Sequence, residues 1–504
     1  MAVQPEFHFL RNDYKKQTGK VQAVVEGKIN CPKEIARVIS VNAESSVLSY
    51  EVLNGEVALN GRVNFKVLIL DTFGDVQCLD YNADFEDKLK DDNIKSYCKP
   101  DIHTCVTDTE IISINSSKIT IAAVVENTVD CVYSMELNYL AGGEGLLIQK
   151  EHAVTNTLVA NFNEIISLSE ETNIKDSVKD ILYCEGKVIL DNSEALNGSV
   201  TVSGCLFADI CYTSGGEYIG VRNMCVEIPF TQEIEADSVE TGDKVCPFAS
   251  VKMVKAIVGE DFGEKDNILQ INADVQLSGS VYRETDSEIV SDAFSLTNEI
   301  ALTGESVQFN RFLFPLYSAH SVDGSATLEE ELPSIARIES CCGTRVNIAN
   351  VISGNGTITV EGVVTTGVIY NSFEENGLNS VEVELPFSVN LNAKDVLDCY
   401  KVTGRAVVTD ISAKQRKGRE VDVTAMLKFE FTVDNQCAVY GITAVEEGEA
   451  STYEKPAISI IFAKEGQTVW DIAKKIKIEP SMIKAENGDV FKENEKVIVY
   501  RQLI

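Results

Sequence analysis

The sequence is short of the residues that interrupt β-structure and of those that commonly do chemistry. It holds 10 Pro, 4 His and a single Trp in 504 residues. Scarce proline leaves long stretches free to donate to hydrogen-bonded ladders. Four scattered His, and 14 Cys without one C-x-x-C pair, give no metal-site spacing. There is no G-x-S-x-G elbow, phosphate loop, H-E-x-x-H or strand-to-helix G-x-G-x-x-G. Ala141-Gly142-Gly143-Glu144-Gly145 is Gly-rich but lacks the Lys-Ser/Thr of a phosphate loop, and reads as an interdomain turn. The expectation is a protein that is not an enzyme, with no catalytic residue, metal or cofactor. An acid/base pair assembled from distant carboxylates, as in an unrecognised hydrolase, stays open as the competing reading.

Long apolar runs are also missing. None approaches the ~18 residues needed to span a bilayer, so no membrane insertion is expected. The start, MAVQPEFHFLRNDYKK, lacks an apolar h-region, which points to a cytosolic place of synthesis. Positive charge is scarce too: the net charge is −34. From Pro456 onward 8 Lys/Arg face 7 Asp/Glu, so the acidity belongs to the rest of the chain. Such a balance argues against nucleic acid as a partner. The one basic cluster, Lys414 to Arg419, falls at an expected hairpin tip. Many cysteines, such as Cys131, Cys205 and Cys225, sit in apolar runs and are expected reduced and buried. The adjacent Cys341-Cys342 pair leaves later cross-linking open as an alternative.

What the chain does have is a threefold repeat. Its clearest element is an alternating strand with an inward Gly. The inward residues are Val57, Leu59, Gly61, Val63, Phe65, Val67 and Ile69; Val200, Val202, Gly204, Leu206, Ala208, Ile210 and Tyr212; and Ile358, Val360, Gly362, Val364, Thr366, Val368 and Tyr370. A period of two held that long marks a strand with one buried face. At matched offsets upstream lie Ile35-Ala36-Arg37-Val38, Val178-Lys179-Asp180-Ile181 and Ile335-Ala336-Arg337-Ile338. At matched offsets downstream come Phe85, Phe230 and Phe387. Each copy ends in a further strand pair. Units of this length are domains rather than solenoid repeats.

The fold class predicted is mainly β: three tandem all-β, sandwich-like or barrel-like repeat domains, then a small α+β module of βααβ order. The expected boundaries are 1–145, 146–300 and 301–445, a polar linker over 446–455, and the last module over 456–504. Phe309 to Tyr317 reads as an edge strand.

In the last module, Thr468 with Asp471 forms a capping box before Val469, Ile472, Ala473 and Ile476 at helical spacing. Pro480 opens a second helix with Met482, Ile483 and Val490 as its apolar contacts, and Val497 and Val499 mark a closing strand. Strand-helix-helix-strand with the Gly466-x-Thr468 turn, the Val469-Trp470-x-Ile472-Ala473 run, Lys474-Lys475 and Asn487 resembles a LysM module. That resemblance implies a glycan-binding loop at Gly466, Gln467, Thr468 and Asn487. Ile461 and Ala463 are then expected to face the helices, which turns Ile458, Ile460 and Phe462 outward, close to Trp470. Either these four form an exposed patch for partner binding, or upstream domains cover the face and Trp470 is a half-buried core residue.

Pro32 with Ile35, Pro333 with Ile335 and Ile338, the Gly-centred strand and the exits Ile228-Pro229-Phe230 and Leu385-Pro386-Phe387 resemble the DUF3794 repeat. Such repeats followed by one LysM resemble the spore coat and envelope morphogenetic family. The resemblance implies a non-enzymatic scaffold in the mother-cell cytoplasm, at the forespore surface. Its implied partners are a coat morphogenetic ATPase resembling stage IV sporulation protein A, and other coat proteins. The alternative is a peptidoglycan- or N-acetylglucosamine-polymer-binding protein of the spore cortex or cell wall.

Overall fold

The structure, a computed structural model, describes residues 3–115, 117–174, 178–215, 220–259, 267–373, 377–451, 458–483 and 490–500. The first repeat contains β1 (Gln4–Asn30), β2 (Ile35–Leu53), β3 (Glu56–Asp71), β4 (Val76–Lys90), β5 (Asp101–Asn115) and β6 (Lys118–Glu144). The second contains β7 (Leu147–Ile174), β8 (Val178–Leu196), β9 (Ser199–Ser214), β10 (Val221–Glu235), β11 (Lys244–Gly259) and β12 (Asn267–Phe294). The third contains β13 (Asn298–Thr327), β14 (Ile335–Gly354), β15 (Thr357–Ser372), β16 (Leu378–Asn392), β17 (Tyr400–Lys417) and β18 (Glu420–Ala450). The last module adds β19 (Ile458–Phe462), α1 (Val469–Ile476), a 3-10 turn at Pro480–Met482 and β20 (Lys496–Tyr500). The fold is mainly β, built from repeated sheet units.

Every repeat has the same two antiparallel sheets. In the first the strand orders are β1-β6-β5 and β2-β3-β4, and the other two repeats copy them strand for strand. The inward residues of β3, β9 and β15 are all buried between the two sheets, against residues such as Ile119, Ile121 and Val125 of β6. The recurrent Gly and the recurrent Phe prove to be direct cross-strand partners: Gly61 faces Phe85, Gly204 faces Phe230 and Gly362 faces Phe387. The ring lies over the missing side chain, so each glycine makes room for an aromatic on the neighbouring strand.

Two further features recur three times. The β2–β3 register slips at Ile35/Arg37, Val38/Ser40 and Val47/Ser49, and β8–β9 and β14–β15 slip at the corresponding places. Bulges of this kind bend and twist a strand, so the three sheets bend at the same three places, and β14–β15 carries one more slip at Cys342/Arg345. The hairpin tips are Asn54-Gly55, Asn197-Gly198 and Asn355-Gly356, with glycine φ of 83°, 83° and 81°. Each Asn side chain accepts a backbone N–H from the following loop, at Ser96, Thr241 and Asp398. Each of these Gly N–H groups donates to Ile94, Val239 or Val396.

The repeats close into a ring. β4 packs on β8, β10 on β14, and β16 back on β2. Where they meet, Leu68, Cys211 and Ile369 are fully enclosed with Ile39, Tyr183 and Cys342. At the other end, β1–β6, β7–β12 and β13–β18 run on beyond the sandwiches and pack together as a stalk. Leu10, Leu137, Ala153, Ile289, Phe309 and Val439 form its core. Across it, Asn12 Nδ2 donates to the Asn310 carbonyl at 2.8 Å, the Asn156 N–H to Asn12 Oδ1 at 2.9 Å, and Asn156 Nδ2 to the Phe312 carbonyl at 2.8 Å.

Three sequence expectations change. Residues 446–450, expected in a linker, continue β18: Glu446 and Glu447 pair with Ala301 and Ile300. Backbone pairing tolerates charged side chains where they face water. The outward face of β9, expected to be open, is covered, because Val407 of the third repeat packs on Ile189, Cys205 and Phe207. Cys225 is exposed rather than buried, on the outward face of β10. Phe309 to Tyr317 lies inside β13, an edge strand of its sheet.

Candidate interaction face of the C-terminal module

Helix α1 begins as its sequence dictates. The Thr468 hydroxyl accepts the Asp471 N–H at 3.1 Å, and Asp471 Oδ2 accepts the Thr468 N–H at 2.8 Å. The helix stops at Lys477, which is left-handed at φ 51°. Ile472, Ala473 and Ile476 bury their side chains against Val497 and Val499 of β20 and against Ala463, which follows β19. In β19, Ser459 is buried and Ile461 packs on the same core, while Ile458, Ile460 and Phe462 are 56%, 55% and 64% exposed. Across the ladder Ile460 pairs with Ile498 and Phe462 with Lys496. Strand alternation therefore leaves three large apolar side chains in a row on an open face.

Trp470 is not part of that face. Its indole N–H donates to Asp292 Oδ2 at 2.8 Å, and its ring meets Phe294 edge-on at 5.0 Å. Lys474 reaches the same carboxylate at 2.6 Å and Lys477 pairs with Glu299 at 3.1 Å. The grouping of Trp470 with Ile458, Ile460 and Phe462 is thus corrected: the helix face carrying Trp470 is spent on the body of the protein.

The loop expected to bind glycan is braced from within. The Gly466 N–H donates to the Phe491 carbonyl and the Phe491 N–H to that of Gln467. Gln467 Oε1 accepts the Lys464 N–H at 2.9 Å. Asn487 lies outside the described residues. Ile483 is buried, but Met482 and Val490, expected to contact the second helix, are exposed. Of that helix the described residues show one 3-10 turn.

Elsewhere, charged groups gather where the repeats join. Glu44, Lys66, Glu185, Lys187 and Asp209 meet between the first two repeats. Burial pushes the Glu185 carboxyl up to about 8, with Glu44 adding to the rise and Lys66 and Lys187 opposing it. Asn42 donates to Glu185, and Lys66 Nζ to the Cys184 carbonyl at 3.1 Å. Between the second and third repeats a cleft of about 280 Å³ is lined by Lys187, Asp209, Cys225, Glu339 and Asp410. Glu339, fully enclosed, is held by Arg337 at 2.7 Å, by Asn371, and by Arg222 at 3.5 Å. Among the described residues no group of three or more His, Cys, Asp or Glu could hold a metal ion.

All fourteen thiols are free. Burial pushes Cys341 and Cys342 up to about 12, so neither is an effective nucleophile in the folded chain. By exposure, titration of the native protein with a small thiol reagent should consume Cys399 first, then Cys105 and Cys225, whose thiols partial burial also raises, and spare the enclosed Cys341-Cys342 pair. Mass mapping that finds Cys342 modified as fast as Cys399 would mean that the joint between repeats opens readily.

No curated protein and no solved structure matches the chain. The family model described as SipL, SPOCS domain matches three times, at residues 34–120, 177–258 and 334–416. Each match spans the second to fifth strands of one repeat and leaves the stalk outside. Together they cover half of the sequence, and the chain belongs to the SipL, SPOCS domain family.

Proposed function

We propose that the protein is a non-enzymatic scaffold of endospore coat assembly whose C-terminal module captures a coat basement-layer protein. Family membership supports a sporulation-related role. The order strand, helix, 3-10 turn, strand, with the Gly466-x-Thr468 turn, supports reading the module as LysM-like. The partner is a coat morphogenetic ATPase resembling stage IV sporulation protein A, met in the mother-cell cytoplasm at the forespore surface. Other coat proteins engage the ring and stalk.

The observation that carries this reading is the row Ile458, Ile460 and Phe462, more than half exposed on a folded two-stranded sheet. Apolar side chains grouped on an open face mark contact surfaces. The test is Ile460→Asp and Phe462→Asp in the full-length chain, with capture of the ATPase from sporulating cells as the readout. Each is expected to reduce capture at least about tenfold, the loss of a central apolar anchor. Capture at the wild-type level by both would remove the reading.

A second reading, binding of N-acetylglucosamine polymers, is favoured by the exposed Val490, which bridges Thr468 of the Gly466–Thr468 loop. Titration of the full-length chain with chitin oligomers or cortex fragments separates the two. Saturable binding that survives Phe462→Asp supports the glycan reading.

A further inference from the structure

Helix α1 is used on two sides. Ile472, Ala473 and Ile476 hold the sheet of its own module. Trp470, Lys474 and Lys477, at i, i+4 and i+7, share a second face beside that one, and all three reach the body. The carboxylate of Asp292, near the end of β12, takes both a neutral and a charged donor. Oδ2 accepts Trp470 Nε1 at 2.8 Å and Lys474 Nζ at 2.8 Å, and Oδ1 accepts Lys474 Nζ at 2.6 Å. Phe294, two residues on and fully buried, packs against the same indole at 5.0 Å, with Leu147 and Leu296 around it. The Lys477–Glu299 pair ties the helix end to β13 at 3.1 Å. An apolar contact, two aimed hydrogen-bond donors and a second ion pair fix both the position and the rotation of a helix.

We propose that Asp292 is a positioning residue that clasps the C-terminal module as a rigid pole. It presents Ile458, Ile460 and Phe462 in one orientation, away from the body. What the clasp delivers rests on the reading of that row as the partner-binding face. The helix face at Trp470 is closed to partners, and a captured protein is held at a set angle to the stalk rather than on a swinging tether.

Trp470 is the only Trp in the chain, so its fluorescence reports on the clasp alone. In the full-length protein, Asp292→Ala is expected to shift Trp470 emission to the red, raise its quenching by acrylamide, and add a fast component to its anisotropy decay. Asp292→Glu, which keeps the acceptor and the charge, should restore the slow single decay, a rescue that general unfolding would not show. Phe294→Ala, which removes the ring contact but leaves the carboxylate, should release the indole in the same way. Wild-type emission and anisotropy in both Asp292→Ala and Phe294→Ala overturn the proposal.

Capture of the ATPase is read in parallel. If Ile460→Asp keeps full capture while Asp292→Ala frees the indole, the clasp stands and the partner face is wrong. If Ile460→Asp loses capture while Asp292→Ala leaves the indole unchanged, the face stands and the clasp is wrong.

Discussion

Gly204→Ala and Gly362→Ala each lower the unfolding free energy by about 3 kcal/mol, and Gly61→Ala by only about 1 kcal/mol, as overpacking of a filled core does. The three glycines occupy one position in the repeat but different surroundings. A Cβ on Gly204 would lie 2.5 Å from the Ile189 carbonyl oxygen, and on Gly362 it would lie 2.4 Å from that of Asn347. Those oxygens belong to paired strands beside a register slip, Leu190/Asn192 and Ile348/Asn350, and cannot retreat without disturbing the ladder. On Gly61 the nearest atoms, at 2.3 and 2.6 Å, are the far end of the Phe85 ring, which can swing away. Denaturant titration of the three variants checks the order. Equal losses at all three, or a mild effect at Gly362, would show that the strand can shift as a unit.

The stability of the wild-type chain should fall by a few kcal/mol between about pH 5 and about pH 9, with Glu185 as the main source. The sign follows from the direction of the shift. Burial raises Glu185 from 4.5 to about 8 and Asp434 from 3.8 to about 7. The folded chain therefore binds protons that the unfolded chain has already released. This contribution is complete below the unfolded values, declines as pH rises, and is lost above about 8. The opposite group, Asp84, Asp130 and Asp243, has carboxyls held below their ordinary value. It acts at lower pH and leaves this window to Glu185 and Asp434, joined by Glu44 and Asp209, whose carboxyls burial also raises. Glu185→Gln, which keeps an oxygen for Asn42, should be near neutral at low pH and stabilising at high pH. Asp434→Asn should add to it. A wild-type profile that rises towards pH 9, or a Glu185→Gln profile parallel to it, contradicts the assignment.

The repeat was legible because its signals are local. Alternation along β3, β9 and β15 survives in three copies, and the Gly and Phe anchors carry over because each pair touches across one hairpin. A third signal, the Asn-Gly tip before each of those strands, is as local as the other two: it is a standard two-residue turn. The ring and stalk were not legible, because they depend on which outward residues meet between repeats. Leu68, Cys211 and Ile369 interrupt the polar side of their strands, and nothing in a single strand says that the three converge. Asn12 and Asn156 read as surface polar residues, yet both are fully buried and spend their amides across the stalk. In the last module the capping box follows from helix spacing, and the outward row from strand alternation once the LysM resemblance sets which side faces the helices. The fate of Trp470 does not, because its acceptor, Asp292, lies 178 residues away in sequence.

The closed ring has a consequence for how the chain is threaded. The Val3 N–H donates to Glu447 Oε2 at 3.3 Å, so the first and last strands of the ring begin and finish side by side. A loop of three like units whose ends touch has no privileged opening. A circular permutant of the ring without the C-terminal module, joining Ala450 to Val3 through a short peptide and opening instead between β6 and β7, keeps all six sheets of the three repeats intact.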